Sequence, residues 1–228
     1  MGDYHIGIID EDIDEIAYIE RTIIINRPDD IGEDQIEFYA YPLTDSADTL
    51  SERISDSAIS DVIAGKIDAL IIDYKIIVKE ALVEGAEIFK SLSAEIPKFP
   101  TVILTNVPEA CYGKEFVDAD KVYAKRSFFK VEGSYSKEKT LNIFRNMDNY
   151  RSQRAMLSTQ LNEQLDKLTV KGYSVETIQN IVEIEKSLDD FCPQQQTIVE
   201  KSLNISELKN AVDLIQEAKS FLGEEDED

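Results

Sequence analysis

Ile67 to Ile76 reads IDALIIDYKI, a short apolar run that ends in one carboxylate, Asp73. A run of this length rich in Ile, Leu and Ala is what a strand buried on both faces looks like. A charge inside such a strand is costly, so Asp73 belongs at the strand's end and needs partners.

Four other runs of the same kind surround it. HIGIID (5–10) and IEFYAY (36–41) precede it, and FPTVILTN (99–106) and DKVYAK (120–125) follow. Between them lie helical spacings at 15–25, 46–67 and 84–96, and a short helix from Pro108. Strands alternating with helices require right-handed crossovers and hence a parallel sheet covered on both faces. The expected domain is doubly wound α/β with five strands over residues 1–135. In such sheets functional groups collect at the carboxyl ends of the strands, where strand order reverses.

Beyond Ser136 the strand pattern stops. SKEKTLNIFRNMDNYRSQRAMLSTQLNEQLDKL (136–168) lacks Gly and Pro, and Ile143, Met147, Tyr150, Arg154, Leu157, Leu161, Gln164 and Leu168 follow coiled-coil spacing. Helical patterns resume at 174–191 and 204–222, with breaks at Gly172 and Pro193. Residues 136–223 are therefore read as an all-helical interaction or dimerisation region, in which the spaced residues form a bundle core or a homodimer contact. The like-charged end EEDED (224–228) reads as a disordered, solubilising tail.

Charge narrows the function. With 24 Lys and Arg against 46 Asp and Glu, the net charge of −22 repels phosphate backbones and anionic lipid. Residues 137–228 hold 11 Lys and Arg against 18 Asp and Glu and no compact basic helix. Neither nucleic acid nor membrane is an expected partner. Cys111 and Cys192 lack CxxC spacing and read as reduced thiols. MGDYHI carries no myristoylation pattern, and no signal-peptide or membrane-spanning run is visible, so the expected location is cytoplasmic.

The strand ends carry the chemistry. Strand one ends IIDED, bringing Asp10, Glu11 and Asp12; strand three ends at Asp73; strand four ends with Thr105 and Asn106; strand five ends at Lys125. Crowded carboxylates raise one another's pKa and call for a cation, and an all-oxygen site suits Mg²⁺. With repulsion neutralised, a carboxylate becomes a usable nucleophile towards phosphorus, and Lys125 and Thr105 are placed to hold the oxygens of the transferring group. Taken singly, Asp10 or Asp12 could cap a helix, Thr105 could serve a turn and Lys125 could be a solvated charge.

This constellation resembles the receiver domains of two-component response regulators, over about residues 4 to 135. The resemblance implies a flavodoxin-like strand order of 2-1-3-4-5. It makes Asp73 the phosphoacceptor, Asp10 and Glu11 the acids that hold Mg²⁺ with Asp73 and the Lys75 carbonyl, Thr105 the hydroxyl that moves to the phosphoryl group, and Lys125 its ion-pairing cation. At most, the implied activity is Mg²⁺-dependent self-phosphorylation and autodephosphorylation. Departures from the family pattern are Glu11 in place of Asp, Arg126 in place of the Pro after the Lys, Asn106 in place of a small residue, and Val122, with Tyr123 beside it, where an aromatic is usual. The loop after Asp73 is also about four residues longer than the pattern.

His5 is the only histidine, so the helical region cannot be a histidine phosphotransfer domain. The implied phosphodonor is a separate histidine kinase or phosphotransfer protein, or a small molecule, and the implied output is a protein contact through the helical region. The alternative is an Mg²⁺-dependent phosphohydrolase resembling the haloacid dehalogenases, using the DxD spacing of Asp10 and Asp12. That family places a second Asp two residues after its nucleophile, where this chain has Lys75 after Asp73. An inert scaffold of receiver shape is a minor third reading.

Overall fold

Tyr4–Ile9 forms the first strand, β1, and Ile13–Asn26 the first helix, α1. Asp12 sets where that helix starts, because its side chain accepts the backbone N–H groups of Asp14 and Glu15. The chain continues through β2 (Ile36–Ala40), α2 (Ala47–Ile63), β3 (Ala69–Asp73), β4 (Lys75–Val78), β5 (Ala81–Glu84), α3 (Gly85–Glu95), β6 (Thr101–Thr105), α4 (Pro108–Tyr112), β7 (Val122–Ala124), α5 (Lys125–Phe128), α6 (Ser134–Lys171) and α7 (Val175–Asp189). This computed structural model describes residues 3–43, 47–78, 81–112, 118–171 and 174–193. The expected helix at 204–222 and the tail at 224–228 lie outside the described residues.

Five strands form one sheet in the order β2-β1-β3-β6-β7. Every pairing in it is parallel, with Ile6 beside Ala69, Asp73 beside Leu104 and Thr105 beside Ala124. Counted within the sheet alone this is 2-1-3-4-5, the expected doubly wound arrangement. β3 and β6 are buried at every position, as unbroken apolar runs require when helices cover both faces. On one face Ile19 and Ile23 of α1, Phe128 of α5 and Ile143, Phe144 and Met147 of α6 join β1 and Tyr123 in a single cluster. On the other, α2 packs against α3, and α3 against β3 and β6.

Two features differ from the sequence reading. Tyr74 to Glu84 is not a plain loop: β4 and β5 pair as an antiparallel hairpin, with Lys75 opposite Glu84 and Val78 opposite Ala81. Ile76, Val78 and Val83 are buried, and Ile77 and Leu82 are exposed. The second difference concerns the coiled-coil spacing. Ile143 and Met147, which open it, are buried against the α/β sheet rather than in a separate bundle or dimer seam.

The chain divides into two compact units, Met1–Ser152 and Gln153–Asp228. α6 starts at Ser134, so the expected boundary at residue 135 falls in its first turn. The described part of the second unit is helical, with Ser174 capping α7 by accepting the Thr177 N–H at 3.1 Å. Among the described residues, no helix is long and apolar enough to cross a membrane.

Candidate functional site

Asp10 directly follows β1, Asp73 ends β3, Thr105 ends β6 and Lys125 directly follows β7. The parallel sheet therefore delivers all four to its carboxyl edge. Asp10 and Asp73 flank the point between β1 and β3 where strand order reverses.

The Lys125 ammonium lies 3.0 Å from Asp10 Oδ2 and 2.5 Å from Asp73 Oδ1, and also pairs with Glu15 Oε2. The second oxygen of each buried aspartate is fixed by backbone. Asp10 Oδ1 accepts the Asp12 N–H at 2.9 Å, and Asp73 Oδ2 accepts the Lys75 N–H at 2.9 Å. Thr105 Oγ1 accepts the Val107 N–H at 3.1 Å, which leaves the hydroxyl hydrogen to be donated. Glu11, Asp12, Glu15, Asp73, Thr105 and Lys125 line a cavity of about 280 Å³.

Burial dominates the electrostatics of both aspartates. It pushes the Asp10 carboxyl above its ordinary value, only partly offset by the Asp12 N–H and by Lys125. It does the same to Asp73, where Lys125 and the Lys75 N–H oppose it and the Glu11 carboxylate adds to it. Burial alone would lower the Lys125 pKa, but Asp73, Glu15 and Asp10 together hold it above the ordinary lysine value. One cation among three carboxylates leaves an excess of negative charge around largely buried groups, the condition under which a further cation is favourable.

Asp10, Asp73, Thr105 and Lys125 thus meet as anticipated. Glu11 lines the same cavity, while the carboxylates within 4.8 Å of one another are Asp10, Glu15 and Asp73. An all-carboxylate set fits a hard divalent cation. Lys75 reaches the site through its backbone and begins the hairpin. Asp12 commits one carboxylate oxygen to capping α1, and Tyr123 is buried in the core.

Sequence reasoning did not find Glu15. Its signal is local: with Asp12 as the cap, Glu15 is the third helical residue, where a Glu ordinarily reaches back to the cap's own N–H. Here Asp10 takes that N–H, so Glu15 turns to Lys125 instead.

Fold and site together define a doubly wound α/β protein with a carboxylate and lysine centre at its sheet switch point. No protein-family model, curated protein or solved structure matches the chain.

Proposed function

We propose that the chain is a receiver-like phosphoacceptor switch in which Asp73 takes a phosphoryl group and the signal leaves through protein contacts. The observation that carries this reading is the pairing of Lys125 with Asp73 and Asp10 at the switch point, with Thr105 lining the same cavity.

In the proposed reaction an Asp73 carboxylate oxygen bonds to phosphorus as the donor's bond to phosphorus breaks, P–N in a phosphohistidine and the bridging P–O in an acyl phosphate, and the leaving imidazole or carboxylate keeps the electron pair. Lys125 and the Thr105 hydroxyl then contact the transferred oxygens. Asp10 and Asp73, the two buried members of the carboxylate cluster, would hold Mg²⁺ with Glu11 from the cavity wall and the Lys75 carbonyl, while Glu15 stays with Lys125. When bound, that ion supplies charge neutralisation for the oxygens around phosphorus. His5, the only histidine, lies in β1, the strand that Asp10 follows at its far end. The donor in this reading is a histidine kinase, a phosphotransfer protein or a small acyl phosphate. The acidic charge directs the output to protein rather than nucleic acid or membrane, in a cytoplasmic setting.

The test is incubation with acetyl phosphate, with and without Mg²⁺, followed by borohydride reduction and peptide mapping. The expected result is a label on Asp73 only, dependent on Mg²⁺ and absent from Asp73→Asn. A label on Asp10 or Asp12 would transfer support to the phosphohydrolase reading, and no label from any phosphodonor would overturn both.

A further inference from the structure

An ammonium group has three N–H donors, and all three carboxylates around Lys125 lie within reach of them. A phosphoryl oxygen that pairs with Lys125 must therefore displace one of these acceptors. The three are not equally able to leave. The Asp10 side chain is 1% exposed and tied to the Asp12 N–H. Asp73 is 9% exposed, tied to the Lys75 N–H, and is itself the attacking group. Glu15 is 32% exposed and stands on the first turn of α1, where solvent can receive its carboxylate.

We infer that Glu15 is the displaceable counter-ion of the site: in the resting state it holds the third donor of Lys125, and it swings to water when phosphoryl oxygens arrive. This inference rests on the phosphoacceptor reading and deepens it, because it assigns the site a built-in competitor for its own ligand. Glu15 takes no part in bond making and no proton moves on it. Asp73 forms the bond to phosphorus, and the donor's leaving group departs with its electron pair. The departure of Glu15 removes one negative charge from the path of an anionic donor while leaving Lys125 paired with both buried aspartates. Glu15 is thus a positioning residue that sets how much donor is needed, acting through Lys125.

The experiment uses the full chain and the variants Glu15→Gln and Glu15→Ala, with beryllofluoride as the phosphoryl probe at saturating Mg²⁺ and with Mg²⁺ alone as the second probe. Removing a competing ion pair of a partly exposed carboxylate should tighten half-saturation by beryllofluoride about fivefold. Labelling of Asp73 at low acetyl phosphate should accelerate similarly while its maximal rate stays unchanged. Mg²⁺ affinity measured by calorimetry should move less than about twofold, since the displaced group is not a required ligand. Unchanged or weaker beryllofluoride binding in both variants overturns the inference, as does a parallel loss of Mg²⁺ affinity, which would make Glu15 a metal ligand. If the unmodified chain neither binds beryllofluoride nor labels at Asp73, the underlying phosphoacceptor reading has failed and the inference falls with it.

Discussion

Asp10 is buried beside a lysine that has two other carboxylates to pair with, so its charge is not needed to neutralise that lysine. This reverses the usual rule that breaking a buried ion pair is costly, because the remaining partner is not left uncompensated. Asp10→Asn keeps an oxygen for the Asp12 N–H and removes a desolvated charge. Burial holds the Asp10 pKa above its ordinary value, so the folded chain binds that proton more tightly than the unfolded chain. Its contribution to stability is complete below the unfolded Asp value, about pH 4, and is lost as pH rises through the folded value. In metal-free buffer at pH 7, Asp10→Asn should therefore melt a few degrees higher than the unmodified chain, corresponding to about 1 kcal/mol, and the advantage should vanish towards pH 4. Melting curves of the two proteins across that range test it, and an advantage independent of pH would refute it. At this scale Asp10, Asp73, Thr105 and Lys125 were legible because a parallel sheet sends its strand ends to one edge. Glu15 was hidden because it enters from a helix, and its partner depends on Asp10 having already claimed the cap's N–H.

The hairpin β4–β5 shows what local patterns leave out. KIIV (75–78) and ALVE (81–84) are too short to give a strong alternation, and the Lys79–Glu80 pair between them offers no Asn or Gly to announce a tight turn. What the hairpin achieves is a return of the chain onto the end of β3. The Gly85 N–H donates to the Tyr74 carbonyl at 2.9 Å. A Cβ on Gly85 would lie 2.0 Å from the Asp73 carbonyl oxygen and 2.7 Å from Ile72 Cγ2. No side chain fits at that distance from backbone, so Gly85 is required for α3 to start directly against the peptide of Asp73. Gly85→Ala should lower stability by about 1–3 kcal/mol, the cost of forcing extra volume into a packed site. It should also slow labelling of Asp73 in samples that remain folded. Denaturant midpoints and acetyl phosphate labelling measure the two effects, and a neutral substitution would show that the backbone yields there freely. That Ile143 and Met147 of α6 meet the sheet rather than another helix was hidden for a related reason. Spacing by three and four residues marks an apolar helical stripe, but it does not say whether the stripe meets another helix or a sheet.

At the scale of the first compact unit, α6 connects the candidate site to the far edge of the sheet. Near its start, the Tyr135 hydroxyl accepts the Ala124 N–H at 2.9 Å, one residue before Lys125. Lys139 places its ammonium over the rings of Tyr123 and Tyr135, at 5.2 and 5.4 Å. Further along, Asp148 accepts the Tyr4 hydroxyl at 2.9 Å. Arg151 donates from Nε to Asp68 at 2.8 Å and lies over the Tyr4 ring. The hydroxyl of Tyr4, buried and beside Asp148, has its pKa pushed up to about 12, so this far anchor keeps its proton across the neutral range. The two attachments differ in what a phosphoryl group would do to them. Any movement of Lys125 passes through one peptide to Ala124, whereas Asp68 and Arg151 are separated from it by the length of the strands. Phosphorylation should therefore loosen or tighten the start of α6 and leave its far anchor fixed. With beryllofluoride and Mg²⁺, hydrogen exchange should change over residues 122–139 and stay constant over 140–151, by an amount corresponding to a coupling of about 1–3 kcal/mol. Tyr135→Phe removes the acceptor of the Ala124 N–H and should shrink that change without preventing labelling of Asp73. Identical exchange in both states across 122–151 would refute the switch. An equal change along the whole segment would instead mean that α6 moves as one body, with no fixed end at Arg151.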